Sequence, residues 1–148
     1  MSALHERLSR DHECLDGFLA AALRPVRSID EASYRAFRAG LLWHIAVEER
    51  VLLPALRKQR PDSPVEEQIH RDHAALAALL VPPPSAAEIE PIRAILVTHN
   101  PLEEGAAGFY QDVERTCGAE VPALRSRTPH ATPVRAAPPP PPAAHPVR

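Results

Sequence analysis

The sequence predicts an all-α protein, an antiparallel up-and-down four-helix bundle followed by a disordered, proline-rich C-terminal tail. Three observations predict it. Ala and Leu are abundant while aromatics make up 4% of the 148 residues, a composition that favours helix over sheet. Apolar side chains recur at steps of three, four and seven in four segments, which is the helical period. The connections between those segments are short, which sets consecutive helices side by side and pointing in opposite directions. The length suffices for one buried core and not for two. Residues 1–117 are therefore expected as one domain and 118–148 as the tail.

The first helix is expected from Ser2 to Leu23 on a stripe of Leu4, Leu8, Leu15 and Leu19, with His12 inside the stripe, until Pro25 ends the pattern. The second should start after Asp30, a side chain suited to the N-cap, and run through Phe37, Leu41, His44, Glu48 and Leu52 towards Arg60. Pro54 lies inside it and should kink or weaken its last turns. The third starts at Pro64, a favourable first-turn proline after Ser63, and carries Val65, Ile69, His73, Leu76 and Leu80 until the run Pro82–Pro84 stops it. The fourth opens after Ser85 and places Ile92, Leu96, His99, Glu103, Ala106 and Tyr110 on one face. Pro91 fits only close to its first turn, and Pro101 removes one backbone hydrogen bond and predicts a local bend. From Gly118 onward Pro, Ala and Arg dominate, with five consecutive prolines at Pro138–Pro142. Such a stretch buries too little apolar area to offset its ordering entropy and should be extended and solvated.

Charge and cysteine usage narrow the function classes. With 17 basic and 19 acidic side chains the formal net charge is −2, and no basic cluster is present to track a phosphate backbone, so nucleic acid is not an expected partner. The apolar run near the start is short and interrupted by charges, so neither a secretory signal nor a membrane span is expected and the cytoplasm is the default location. Cys14 and Cys117 stand far apart and in no CxxC arrangement, against both a disulfide framework and a thiolate site. Any bound metal should therefore have nitrogen and oxygen ligands.

The chemistry lies in four histidines on four helical segments, His12, His44, His73 and His99, two of which carry a glutamate four residues on, Glu48 and Glu103. Residues four apart share one helix face, so each pair offers a ring nitrogen and a carboxylate oxygen to one point. All six fall on positions that the helical period assigns to the core. A buried carboxylate costs roughly several kcal/mol unless it is paired or coordinated, so two of them converging with four imidazoles call for a cation. Singly, each residue has an ordinary reading: a core histidine satisfied by hydrogen bonds, or a surface His–Glu contact worth about 0.2–0.5 kcal/mol. Taken jointly, the register on four helices favours a metal site. Imidazole and carboxylate suit iron, manganese or zinc. Six ligands exceed the four of a structural zinc and suit two ions sharing carboxylates, with Glu48 and Glu103 as the bridges.

Other polar residues are weaker candidates. His5 is two turns from His12 and is expected at the bundle end. His70 lies on the flank of its stripe, solvent-facing or supporting a ligand. Glu49 and Glu104 fall one residue past the axial face, with Glu104 able to swing inward if the fourth helix bends. Asp11 and Asp72 read as solvated charges. Trp43 and Tyr110 read as packing residues beside the pocket. His130 and His145 lie in the tail and receive no role.

The order His, HxxxE, His, HxxxE resembles the hemerythrin-like, or HHE cation-binding, domains. The stretches HIAVEERVLLPAL, RDHAALAALL and HNPLEEGAAGFY look like that family's motifs, stand in its order, and extend the likeness over residues 2–117. The resemblance implies a four-helix bundle holding two iron ions in a non-haem centre with carboxylate and oxo or hydroxo bridges, manganese or zinc being the other ions its donors accept. It implies His12, His44, His73 and His99 as terminal ligands and Glu48 and Glu103 as bridging ones. The chain departs from the oxygen-carrying members, which place two histidines four apart on the third helix and an aspartate five after the last histidine. Position 69 is Ile here, and His70 is out of register. That difference leaves positions for water, oxygen, nitric oxide or peroxide and turns the expectation from oxygen carriage towards the bacterial branch linked with oxygen, redox and iron handling.

Four functions compete. One is a di-iron protein that binds or senses O2, NO or peroxide or handles iron and redox stress. A second is a di-iron enzyme that reduces peroxide or NO or repairs iron centres. A ferritin-type role would require two ExxH motifs, and only Glu67 with His70 is present. A metal-free module would instead dock a protein partner through the proline-rich tail.

Overall fold

The computed structural model describes residues 3–61, 63–80 and 85–127; Ser2, the stop at Pro82–Pro84 and the polyproline run lie outside them. All regular structure in the described residues is helical: α1 (Ala3–Ala22), α2 (Glu31–Val47), a π-helical turn (Glu48–Leu52), α3 (Leu53–Gln59), α4 (Pro64–Leu79), α5 (Ala86–Glu104), α6 (Phe109–Cys117) and α7 (Val121–Arg127). Among them no helix is long and apolar enough to cross a membrane.

Capping chemistry starts the helices where the sequence places it. Asp30 accepts hydrogen bonds from the Ala32 and Ser33 amides at the head of α2, and Ser63 accepts from the Glu66 amide at the head of α4, with Pro64 following. Ser85 and Glu88 form a reciprocal capping box on α5. Each such cap satisfies amides that the first turn leaves without a partner, a contribution of about 0.5–2 kcal/mol.

Pro54 acts differently from expectation. The distortion tied to Pro54 lies ahead of it: the Leu53 amide bonds to the Glu48 carbonyl five residues back, forming the π turn. Proline lacks an amide hydrogen and its ring crowds the carbonyl four residues earlier, so the preceding turn widens. In contrast, α5 runs on through both Pro91 and Pro101.

Two boundaries require correction. The fourth helix does not continue to Tyr110, because α5 ends at Glu104 and the chain turns through Gly105–Gly108 before α6 begins. Ala107 takes φ 62° in this turn, and a Cβ on Gly108 would lie 2.7 Å from the Glu103 carbonyl oxygen, so only glycine fits there. The expected disordered tail from Gly118 is likewise structured at its start. α7 docks on α6 and the π turn and buries Leu124, because Leu124 and Val121 provide one apolar face within an otherwise polar segment.

The helices enclose two apolar clusters. Leu4, Leu8, Leu52, Leu56, Ile69, Phe109 and Val113 belong to one, and Leu15, Leu19, Phe37, Leu41, Leu76, Ile92 and Leu96 to the other. Fully burying each such side chain contributes about 1.5–3 kcal/mol. Val65 and Ala106 are the members of the expected stripes that stay exposed. Helix α1 packs on α2, α4 on α5, and α6 against α1, α3 and α5.

Candidate metal centre

Helices α1 and α4 cross from one apolar cluster to the other at a histidine, and α2 and α5 carry theirs at the end of the second cluster. His12 stands between Leu8 and Leu15, His44 follows Leu41, His73 lies between Ile69 and Leu76, and His99 follows Leu96, all buried. The four rings thus form one polar layer between two apolar ones. Glu48 and Glu103, one turn beyond His44 and His99, enter the same layer at 0% exposure. His44 Nε2 is 3.2 Å from Glu48 Oε1, and His99 Nε2 is 2.8 Å from Glu103 Oε1. Across helices, His73 Nε2 is 3.1 Å from Glu48 Oε2, and His12 Nε2 is 3.2 Å from Glu103 Oε2. The structure brings the six sequence-selected side chains together in two overlapping groups, Glu48, His73, His99 and Glu103 in one and His12, His44 and Glu103 in the other, each able to hold a metal ion.

The outward ring nitrogens meet a second set of carboxylates. Nδ1 of His12 bonds to Glu104, and Nδ1 of His73 lies 2.8 Å from Glu49 Oε1. Nδ1 of His99 lies 3.2 Å from Asp72 Oδ2, and Nδ1 of His44 is 3.6 Å from Asp11 Oδ2. Each carboxylate therefore supports the ring of a neighbouring helix: α1 supports α2, the turn after α2 supports α4, α4 supports α5, and α5 supports α1. At His12, His73 and His99 these contacts are hydrogen bonds that fix the ring orientation and leave Nε2 as the donor atom, as in carboxylate–histidine–metal triads, while Asp11 faces His44 without one. Asp11 and Asp72 are thus not solvated charges, and Glu49 and Glu104 take the supporting role. An acidic residue directly before His12 and His73 and directly after Glu48 and Glu103 was the available signal, although helical phase alone does not show which neighbouring ring it meets.

Tyr110 is the main addition. It is fully buried, and its Oη lies 2.6 Å from Glu48 Oε1, 3.1 Å from Glu103 Oε2, 3.1 Å from His44 Nε2 and 3.3 Å from His12 Nε2. The packing role expected for it is incomplete, because its hydroxyl sits among the donor atoms. His5 stacks edge-on against the Tyr110 ring, outside the donor groups. His70 is exposed and faces Glu49 at 3.0 Å. Glu67 pairs with Arg71 on the surface, so Glu67 and His70 form no site together. Trp43 is half-buried, and His130 and His145 lie outside the described residues.

Electrostatics couple the layer tightly. Burial pulls the His73 ring down, yet Glu103, Glu48 and Glu49 outweigh it and push its pKa up to about 10. His44 is likewise lowered by burial but raised well above its ordinary value by Glu48 and Asp11, and His12 is raised by Glu103 and Glu104 against the same penalty. Burial lifts Glu103 and Glu48, but the rings overcome it and hold Glu48 below, and Glu103 well below, the usual carboxylate range. Burial and the two glutamates push the Tyr110 phenol far up.

A cation fits this donor set. Glu48 Oε2, Glu103 Oε1 and His73 Nε2 are buried with no hydrogen-bond partner among the described residues, although His73 Nε2 stands 3.1 Å from Glu48 Oε2 and 3.5 Å from Glu103 Oε1. Buried polar atoms are seldom left without a partner in native cores. Six carboxylates surround four rings, so full ring protonation still leaves two negative charges. No protein-family model, curated protein or solved structure matches this chain.

Proposed function

We propose that the chain is a hemerythrin-like protein whose antiparallel four-helix bundle holds two iron ions and binds or senses O2, NO or peroxide. The observation that carries this reading is the buried layer of four Nε2 atoms and two glutamates with anionic excess, backed on each ring by a carboxylate from the neighbouring helix. That cyclic order of support, α1 to α2 to α4 to α5 and back, is what a four-helix bundle with its ligands on the axis would produce. The absence of thiolate and the presence of six nitrogen and oxygen donors favour an iron pair over a structural zinc.

When bound, iron supplies redox chemistry and Lewis acidity. The chain's own residues do the rest. The four Nε2 atoms and the carboxylates of Glu48 and Glu103 would hold the ions. Glu104, Glu49 and Asp72 keep the ring protons of His12, His73 and His99 at Nδ1 and fix ring orientation, and Asp11 adds a negative charge beside His44. Leu8, Leu15, Leu41, Ile69 and Leu76 close the layer above and below and restrict water, which strengthens every charge interaction inside it.

The test is elemental analysis of the aerobically purified full chain, with visible spectra before and after reduction and on exposure to O2, NO and peroxide. Two irons per chain and a spectrum that responds to one of these molecules are expected. Protein without iron, or iron whose spectrum ignores all three, overturns the reading. Catalytic disappearance of peroxide or NO in the same samples would mark an enzyme rather than a binder.

A further inference from the structure

The Tyr110 hydroxyl carries one proton, yet four atoms of the donor layer lie within 3.3 Å of it: Glu48 Oε1, Glu103 Oε2, His44 Nε2 and His12 Nε2. A phenol O–H can donate to one of them. His12 Nε2 and His44 Nε2 also lie 2.9 Å from each other. One phenol proton therefore cannot serve all four contacts, and the oxygen sits where the ring nitrogens and carboxylates of this group converge. One metal-holding group has four protein donors, Glu48, His73, His99 and Glu103, whereas the other has three, His12, His44 and Glu103. Tyr110 stands at the three-donor group.

The local fold is built to put it there. On a straight continuation of α5, a residue seven positions after Glu103 would lie about 10.5 Å further along the helix axis. Instead the turn at Gly105–Gly108 folds α6 back. Ala107 holds a left-handed backbone, a conformation uncommon outside glycine, and its amide is satisfied by Gln111 Oε1 at 2.6 Å. The result is a Tyr110 oxygen 3.1 Å from Glu103.

We infer that Tyr110 is a direct protein ligand, its oxygen completing the donor set of His12, His44 and Glu103. This rests on the iron-centre reading. On coordination the oxygen lone pair forms the bond to the cation, the O–H bond breaks and the proton leaves to solvent, with no change in electron count; such proton release accompanies binding by any ligand that must be deprotonated. The anionic phenolate is a hard donor matched to ferric iron, a role tyrosine also fills as the axial ligand in catalase. The two ion positions are then chemically unequal, one with a phenolate and two imidazoles and the other with two imidazoles and carboxylates alone.

The full chain, loaded with iron in air, tests this by elemental analysis and by resonance Raman spectroscopy in the visible region. Tyr34 and Tyr110 are the two tyrosines of the sequence, and Tyr34 packs against Phe37 in the apolar cluster. Tyrosine-ring modes are expected in the wild type and in Tyr34→Phe, and should be lost, together with the phenolate-to-iron absorption, in Tyr110→Phe that still carries iron. Iron-bearing wild type without those modes, or modes lost in Tyr34→Phe instead, overturns Tyr110 ligation alone. A wild type that binds no iron overturns the iron-centre reading and this inference with it. Should Tyr110→Phe fail to fold, the wild type and Tyr34→Phe still decide between these outcomes.

Discussion

His12 and His44 face each other from α1 and α2 and share their glutamate contacts with the Tyr110 hydroxyl, whereas His73 and His99 face each other from α4 and α5 and meet Glu48 and Glu103 without it. Both halves use the same outward support of ring nitrogen by carboxylate. They differ in closure: the second is completed by residues within its own helical pattern, the first by a side chain delivered from α6 after a break in the chain. A layer of near-equivalent ligands can thus be made asymmetric by one turn outside the repeating pattern.

The largest effect should follow removal of the residue both halves share. Glu103→Ala takes away a donor common to the two groups and leaves buried rings without their counter-charge, a change that typically costs about 3–5 kcal/mol in a buried pair. Iron content near zero and a lowered thermal midpoint are expected; retention of one iron would show that the halves do not share this carboxylate. Next come His44→Ala and His99→Ala, each taking a ligand from one half. Elemental analysis should fall from two metals to one in both variants, and loss of both metals in either would mean that one half cannot be occupied alone.

Supporting carboxylates should matter less, and unequally. Glu49→Gln, Glu104→Gln and Asp72→Asn should each weaken metal affinity about 10–100-fold. Asp11→Asn should do least, since its 3.6 Å separation from His44 is beyond hydrogen-bond range. A metal titration against a competing chelator gives the order, and an Asp11 effect as large as that of Glu49 would break it.

The pH dependence has a definite sign. His73 is raised from 6.5 to about 10 in the metal-free chain, so its stabilising contribution is fully present below its unfolded value and is lost as pH rises through about 10. Metal needs that ring neutral, so loading must expel the proton, and affinity should rise with pH up to that region. Proton release on loading, followed with an indicator dye, checks this, and none at neutral pH would contradict it. The smallest effect belongs to the cap of α2, far from both halves. Asp30→Ala should lower the thermal midpoint slightly while leaving metal stoichiometry intact. The Asp30 carboxyl is held below its usual value by Ser33, so this contribution is present above the unfolded value and fades as pH falls through the folded one.

Much of the fold is legible in the chain because helical period and caps are local. Asp30, Ser63 and Ser85 begin helices through side chains one turn from the amides they serve. The same period phases His12, His44, His73, His99, Glu48 and Glu103 onto buried faces. The role of Pro54 is less legible, because whether a proline kinks a helix or widens the preceding turn depends on packing. The end of the fourth helix escapes a period count: Gly105 and Gly108 interrupt a pattern that Ala106 and Tyr110 otherwise continue.

What the sequence by itself determined is which side chains face inward and at what level, since both follow from 3.6 residues per turn and from the cost of exposing leucine. Which carboxylate backs which ring, and that Tyr110 returns to the layer, only the tertiary structure decided. Those contacts run between elements up to 98 residues apart, and their distances are set by helix packing and by a left-handed turn that no periodicity encodes.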